Sequence, residues 1–388
     1  MKASNFQSSK AQAASNLPTT PQKESEKKAK LAAIYQALNS DPVDIAALRK
    51  HAISKGGLLN DEVRRKVWPK LLNINVHDQH KKKLAPDITK HRDYNQVILD
   101  VNRSLKRFPR GMKDDQREVL QEQLTNIIVQ VLIRHKQLHY YQGYHDICVT
   151  FLLAVGKDMA LSIMDVLSIH HFRDFMDSTM DRTKHMLNYL FPIIRKGSPV
   201  LHDFMQKSEV GTVFALAWLI TWYGHVLNDY KSIVRLYDFF LACHPLMPVY
   251  LAAAIVLYRE KGVLEQDCEM VYVHSFLSKI PQDLPFEHLI IKAGDLFVQY
   301  PPSEMAKEAR LQYKQSTTIS KHGDFESAVE HQRPDAILQL MREQSRRNSF
   351  PSFRTQSSRA VKVAVWALST AVGVAALAVL NTAAEFWV

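Results

Sequence analysis

Glycine is scarce in this chain of 388 residues. It occurs 12 times, about 3 % where about 7 % is usual. Sheets joined by tight hairpins and glycine-rich nucleotide-binding loops both need more, so the deficit favours helices. Cysteine numbers three, at Cys148, Cys243 and Cys268. No CxxC pair occurs, which excludes a cysteine-based zinc ribbon. Scattered thiols make no disulfide framework and suit a reducing cytosol. The opening MKASNFQSSKAQAASN has no apolar stretch of the kind a secretory signal requires. The patterns GxxxxGK(S/T), HExxH and GxSxG are all missing, so no P-loop, zincin or nucleophile-elbow chemistry is indicated. No period-two series of strands and no internal repeat appear. The net charge of +11 is modest for this length. With no aromatic-basic RNA-binding motif, it does not call for nucleic acid.

Hydrophobic residues are 46 % of the chain, enough for a sizeable core. Residues 1–28 are mainly Ser, Gln, Ala, Lys and Pro and are expected to form a disordered lead-in. Helical spacing begins near Lys30, with Leu31, Ile34, Tyr35 and Leu38, and alternates with short breaks to about residue 301. Asn60-Asp61 reads as a helix start, and Pro69 as its end or a kink. From Asp93, Tyr94, Val97, Ile98, Val101, Leu105 and Phe108 share one face, and Pro109-Arg110-Gly111 ends that helix. A longer helix is expected over residues 115–138, with Leu120, Leu124, Ile127, Ile128, Val131 and Leu132 inward.

Two apolar runs reach membrane length. Residues 210–227 contain 18 residues without a formal charge. They read best as a buried core helix, the alternative being a second inserted span. Residues 363–384 contain 22 uncharged residues, bracketed by Trp366 and Trp387. That length covers a hydrocarbon core of roughly 30 Å, so a single transmembrane helix is expected there. Before it lie Arg342, Arg346, Arg347, Arg354, Arg359 and Lys362 against one acid, Glu343. Positive flanks stay cytosolic, leaving residues 385–388 as a short lumenal tail. Residues 302–362 are rich in Ser, Gln, Glu and Arg and read as a flexible, basic tether, with a helical patch at 334–341. A short Ala- and Val-rich span suits the thinner endoplasmic reticulum bilayer. The organisation is thus an all-α body over residues 29–301, a tether and an anchor.

His135, His139 and His145 invite a metal-site reading, but Gln142-Gly143 separates them and a site needs converging ligands, so no metal is expected. Two other segments carry more. In Val97-x-x-Asp100-x-x-Arg103 a carboxylate stands one turn from a guanidinium. Taken alone, that is an ordinary helix-surface ion pair. In Tyr140-Tyr141-Gln142-Gly143 an amide able to orient water sits in a tyrosine-rich turn. Taken alone, that is a packed polar loop.

Together the two segments resemble the paired finger motifs of the TBC-domain GTPase-activating proteins, which act on Rab GTPases. The family's I-x-x-D-x-x-R is matched by Val97, Asp100 and Arg103, and its Y-x-Q-G by Tyr140, Gln142 and Gly143. Arg64-x-x-x-Trp68 upstream, Trp218, and Arg235-Leu236-Tyr237-Asp238-Phe239-Phe240 downstream also match, in order, over roughly residues 45–300. Val97, Tyr141, Tyr144, His145 and Tyr237 depart from the commoner residues, which leaves the preferred Rab open. The resemblance implies an all-α, two-lobed domain. It implies a GTP-bound Rab as partner, with Arg103 as arginine finger and Gln142 positioning the attacking water. Asp100 would orient Arg103, Tyr140 and Gly143 would hold the glutamine turn, and Arg64 and Trp68 would support the surrounding surface. GTP and Mg²⁺ would be carried by the Rab, so no cofactor is expected on this chain. A terminal span after the domain is similar to the family's membrane-anchored member, and the fit of that span to the endoplasmic reticulum bilayer points to a Rab of the ER-to-Golgi route. The rival readings are a non-catalytic membrane-anchored adaptor, a multi-span membrane protein and a metal hydrolase.

Overall fold

In the computed structural model of the chain, residues 20–75, 87–103, 112–308 and 316–323 are described. All regular structure among them is helical. Helix α1 (Thr20–Asn39) begins inside the segment expected to be disordered, and its residues 22–29 are exposed. Its second half is anchored by Ile34 and Ala37, and helix-favouring Ala, Lys and Glu propagate the helix backwards from there. Helix α2 (Ile45–Ile53) packs on α1 and on α3 (Asp61–Leu71). Asn60 caps α3 as expected, its side chain accepting the Val63 N–H at 2.9 Å. Pro69 does not end the helix at once. So near the C-terminus proline removes a single main-chain bond, and buried Trp68 and Leu71 hold the last turn.

Helix α4 (Tyr94–Arg103) turns Val97 and Val101 inward onto α5 (Asp114–Arg134). Leu105, Phe108 and the Pro109-Arg110-Gly111 stop lie outside the described residues. Helix α5 buries Leu124, Ile127, Ile128, Val131 and Leu132 and ends at Arg134, short of the expected residue 138. Helices α6 (Tyr144–Val155) and α7 (Lys157–Ile169) pack on α5 and on each other. The remainder of the body is built of α8 (Asp181–Leu187), α9 (Leu190–Gly197), α10 (Pro199–Lys207), α11 (Leu216–Ile220) and α12 (Tyr230–Ala242). It continues through α13 (Met247–Tyr258), α14 (Glu260–Leu264), α15 (Met270–Ser278), α16 (Phe286–Gln299), α17 (Pro302–Glu308) and α18 (Thr317–Ser320). In α13 every residue from Met247 to Val256 is buried, so this helix is apolar all round because it is enclosed, chiefly by α16 and α9.

The uncharged run 210–227 buries most of its large side chains, with Val213 and His225 exposed, and it is not one helix. A short 3₁₀ turn at Val213–Ala215 leads into α11, which stops at Ile220. The Ile220 carbonyl accepts the Tyr141 hydroxyl at 2.8 Å, while the Gly224 N–H bonds back to the Thr221 carbonyl at 2.8 Å. Trp222 and Tyr223 then take left-handed backbone, at φ 45° and 64°, with both rings buried. Burying two large aromatics, each contributing roughly 1.5–3 kcal/mol, offsets such backbone strain. No helix among the described residues is long and apolar enough to cross a membrane.

The packed body also runs past the expected boundary at residue 301. Met305 and Ala306 of α17 are buried, and Glu308 pairs with Lys196 at 2.9 Å. Beyond it, Ser316 caps α18 and its hydroxyl also donates to the buried Asp174 carboxylate. Asp174 Oδ1 accepts the Thr317 N–H at 3.1 Å. The expected helical patch at 334–341 and the apolar span at 363–384 lie outside the described residues.

Candidate functional site

Arg103 is the last described residue of helix α4, and its side chain is 68 % exposed. One turn earlier Asp100 is fully buried. The two are therefore not a surface ion pair. A buried carboxylate stands behind an exposed guanidinium, with Arg103 Nη1 3.6 Å from Asp100 Oδ1. A carboxylate out of water needs donors. Gln96 Nε2 donates to Oδ1 at 3.2 Å and the Tyr140 hydroxyl donates to Oδ2 at 2.9 Å.

Tyr140 brings the second motif to the first. It precedes a turn in which Gln142 is exposed and Gly143 buried. Gly143 has φ 110°, and a Cβ there would lie 2.8 Å from Thr221 Cγ2, so both backbone and space call for glycine. The turn is fastened on each side of Gln142. The Tyr141 hydroxyl bonds the Ile220 carbonyl, and Tyr144, fully buried, bonds Ser168 at 2.6 Å. Burial, reinforced by the Asp100 charge, drives the Tyr140 hydroxyl far above its ordinary pKa, so it remains a donor.

Arg64 and Trp68 belong to a different cluster, centred on the fully buried Asp238. Asp238 accepts Arg64 Nε at 3.0 Å and Nη2 at 2.9 Å, Trp68 Nε1 at 2.9 Å and the Leu58 N–H at 3.0 Å. Burial pushes the Asp238 carboxyl above its ordinary value, and the Arg64 guanidinium opposes that shift. Nearby, Arg235 forms a fork on Glu287 at 2.8 and 3.0 Å and binds the carbonyls of Ala52, Ile53 and Ser54. These groups tie α2, α3, α12 and α16 into one frame, and their bonds run to Asp238 and Glu287 rather than to Asp100 or the Gln142 turn.

The three histidines have separate partners. His135 pairs with Asp165 at 2.9 Å, His139 Nδ1 lies 3.0 Å from Arg92, and His145 Nδ1 lies 3.2 Å from the Tyr140 hydroxyl. Among the described residues no group of three or more His, Cys, Asp and Glu is disposed to hold a metal ion. Sequence reasoning missed Gln96, although its i, i+4 spacing to Asp100 was a readable signal. The pairing of Asp146 with His225 Nδ1, at 3.0 Å, is not readable from spacing, because His225 comes from the broken apolar run.

Residues 61–264 match the Rab-GTPase-TBC domain family. The human TBC1 domain family member 20 is 58 % identical over 372 residues, covering 93 % of this chain and 91 % of that protein. The GTPase-activating protein gyp10 of Schizosaccharomyces pombe is 32 % identical over 257 residues, 65 % of this chain and 68 % of that protein. The crystal structure of the Ypt/Rab-GAP domain of Gyp1p superposes with a TM-score of 0.55, covering 70 % of this chain and 98 % of that one. Its 14 % identity makes this a likeness of fold.

Proposed function

This chain belongs to the Rab-GTPase-TBC domain family, and on that basis we propose that it accelerates GTP hydrolysis by a Rab GTPase, supplying Arg103 and Gln142 in trans. Bound GTP hydrolyses slowly because charge builds on the phosphoryl oxygens and the attacking water is poorly placed. A guanidinium from outside stabilises that charge, an effect of roughly 10³–10⁵ in rate where an arginine finger acts. Gln142, with an amide donor and acceptor, orients the water. One observation carries this reading: the 2.9 Å bond from Tyr140 to Asp100 joins the two motifs while Arg103 and Gln142 stay exposed. Arg103 is thereby held by Asp100 before the partner arrives, which lowers the ordering cost on binding. Arg64 and Trp68 act at a remove, through the Asp238 frame. GTP and Mg²⁺ arrive with the Rab.

Residues 363–384 anchor the chain in the endoplasmic reticulum membrane with the helical body in the cytosol. There it meets a lipid-anchored Rab of the ER-to-Golgi route at raised effective concentration. A tagged chain found mainly at the plasma membrane would count against this placement.

The test is single-turnover GTP hydrolysis by a panel of Rabs with the full chain, Arg103→Ala and Gln142→Ala. Acceleration of at least one Rab, lost in both variants, is expected. A folded chain that binds a Rab yet accelerates none would leave the non-catalytic adaptor.

A further inference from the structure

The Tyr140 hydroxyl has two neighbours that compete for its single proton: Asp100 Oδ2 at 2.9 Å and His145 Nδ1 at 3.2 Å. Which one receives it depends on where the imidazole carries its own proton. With Nδ1 bare, the hydroxyl divides its donation between two acceptors. With Nδ1 protonated, the hydroxyl accepts from His145 and its O–H is committed to Asp100. Both donors then point toward the buried carboxylate and polarise one another.

We propose that His145 is a positioning residue for Arg103, acting through a proton on Nδ1 that commits the Tyr140 O–H to Asp100. The inference rests on the finger reading above. His145 is buried, 7 % exposed, so water is poorly placed to substitute for it. Its other nitrogen lies 3.8 Å from Asp146 Oδ2, beyond hydrogen-bond distance, and Asp146 is itself 3.0 Å from the exposed His225. A row of side chains thus runs Arg103, Asp100, Tyr140, His145, Asp146, His225, drawing on three separate parts of the chain. At its Arg103 end, Asp100 Oδ1 serves Gln96 and Arg103, and Oδ2 serves Tyr140. If Tyr140 turned its proton to His145, Oδ2 would lose the Tyr140 bond and the carboxylate would be held less firmly against Arg103. His145 meets no reacting atom in this scheme, so its removal lowers the rate in the bound complex rather than the binding.

The experiment uses the full chain and the Rab that the wild type accelerates best, in single turnover over a range of activator concentrations. His145→Leu should lower the saturating rate about 10-fold, the effect of one lost hydrogen bond in a charged network, with half-saturation nearly unchanged. His145→Asn, whose amide N–H falls where Nδ1 lies, should restore most of the rate. Tyr140→Phe should be slowed to a similar degree, and adding His145→Leu to it should cost nothing more. Additive losses, or equal damage from Leu and Asn, would overturn the proposal. So would histidine-ring ¹⁵N spectra showing a bare Nδ1 on His145, assigned by its disappearance in His145→Leu. That spectrum is read on the free chain. It therefore decides the proton's place even if no Rab is accelerated, the result that would defeat the finger reading itself.

Discussion

At the residue scale, Gly143 holds the turn beside Gln142. It combines a φ of 110° with 2.8 Å of room before Thr221 Cγ2. Gly143→Ala should destabilise the body by roughly 1–3 kcal/mol through strain at a left-handed position. It should also slow GTP hydrolysis more than it weakens Rab binding, because the displaced group is the neighbouring Gln142. Urea unfolding and single-turnover rates on the same variant check both parts. Asp238 offers a second test. Asp238→Asn keeps the shape but removes the buried charge facing the Arg64 guanidinium, which keeps its bond to Asp61 at 2.8 Å; breaking a buried pair of this kind typically costs about 3–5 kcal/mol. The melting temperature should fall markedly, while the pairing of Tyr140 with Asp100 is untouched.

Among the elements, α18 shows how little helix is needed to dock a chain segment when one buried carboxylate receives it. The four residues Thr317–Ser320 could not form a helix alone. They hold because Asp174 accepts the Ser316 hydroxyl and the Thr317 N–H, and because Thr318 and Ile319 are buried. Asp174→Ala should release residues 316–323 with the rest of the body intact. Hydrogen exchange should then quicken at Thr317 to Ser320 and stay slow in α13. Exchange unchanged at those amides would show that apolar contacts alone dock the turn. Composition misled here: Ser, Gln, Glu and Arg across residues 302–362 read as tether, whereas Asp174 and Arg182 give the polar groups of this turn a destination.

For the whole molecule, acid sensitivity follows from the frame around Arg235. Although burial raises the Glu287 carboxyl, the hydrogen bond and charge of Arg235 lower it more, so its folded value lies below the ordinary 4.5. A depressed carboxylate contributes stability above its unfolded value and loses it as the pH falls through the folded one. The wild type should therefore lose melting temperature between about pH 5 and 3, and Glu287→Gln should lose less over that window while being less stable at neutral pH. Parallel pH profiles for the two would remove Glu287 from the acid response.

The sequence by itself determined the all-helical class, the cap at Asn60, and the inward faces of α4 and α5. Each is written in local spacing, which one turn of helix or one short turn can read. Tertiary structure alone decided that Asp100 is buried. Spacing gave a surface ion pair, whereas Tyr140, 40 residues away, supplies the donor that lets a carboxylate leave water. It decided that Arg64 and Trp68 belong to Asp238, across a separation of 174 residues for Arg64. It also broke the uncharged run after Ile220, because Tyr141 takes a carbonyl that a longer helix would have kept for itself. These outcomes depend on which polar groups meet across the fold, and an unpaired buried group costs more than any local propensity returns.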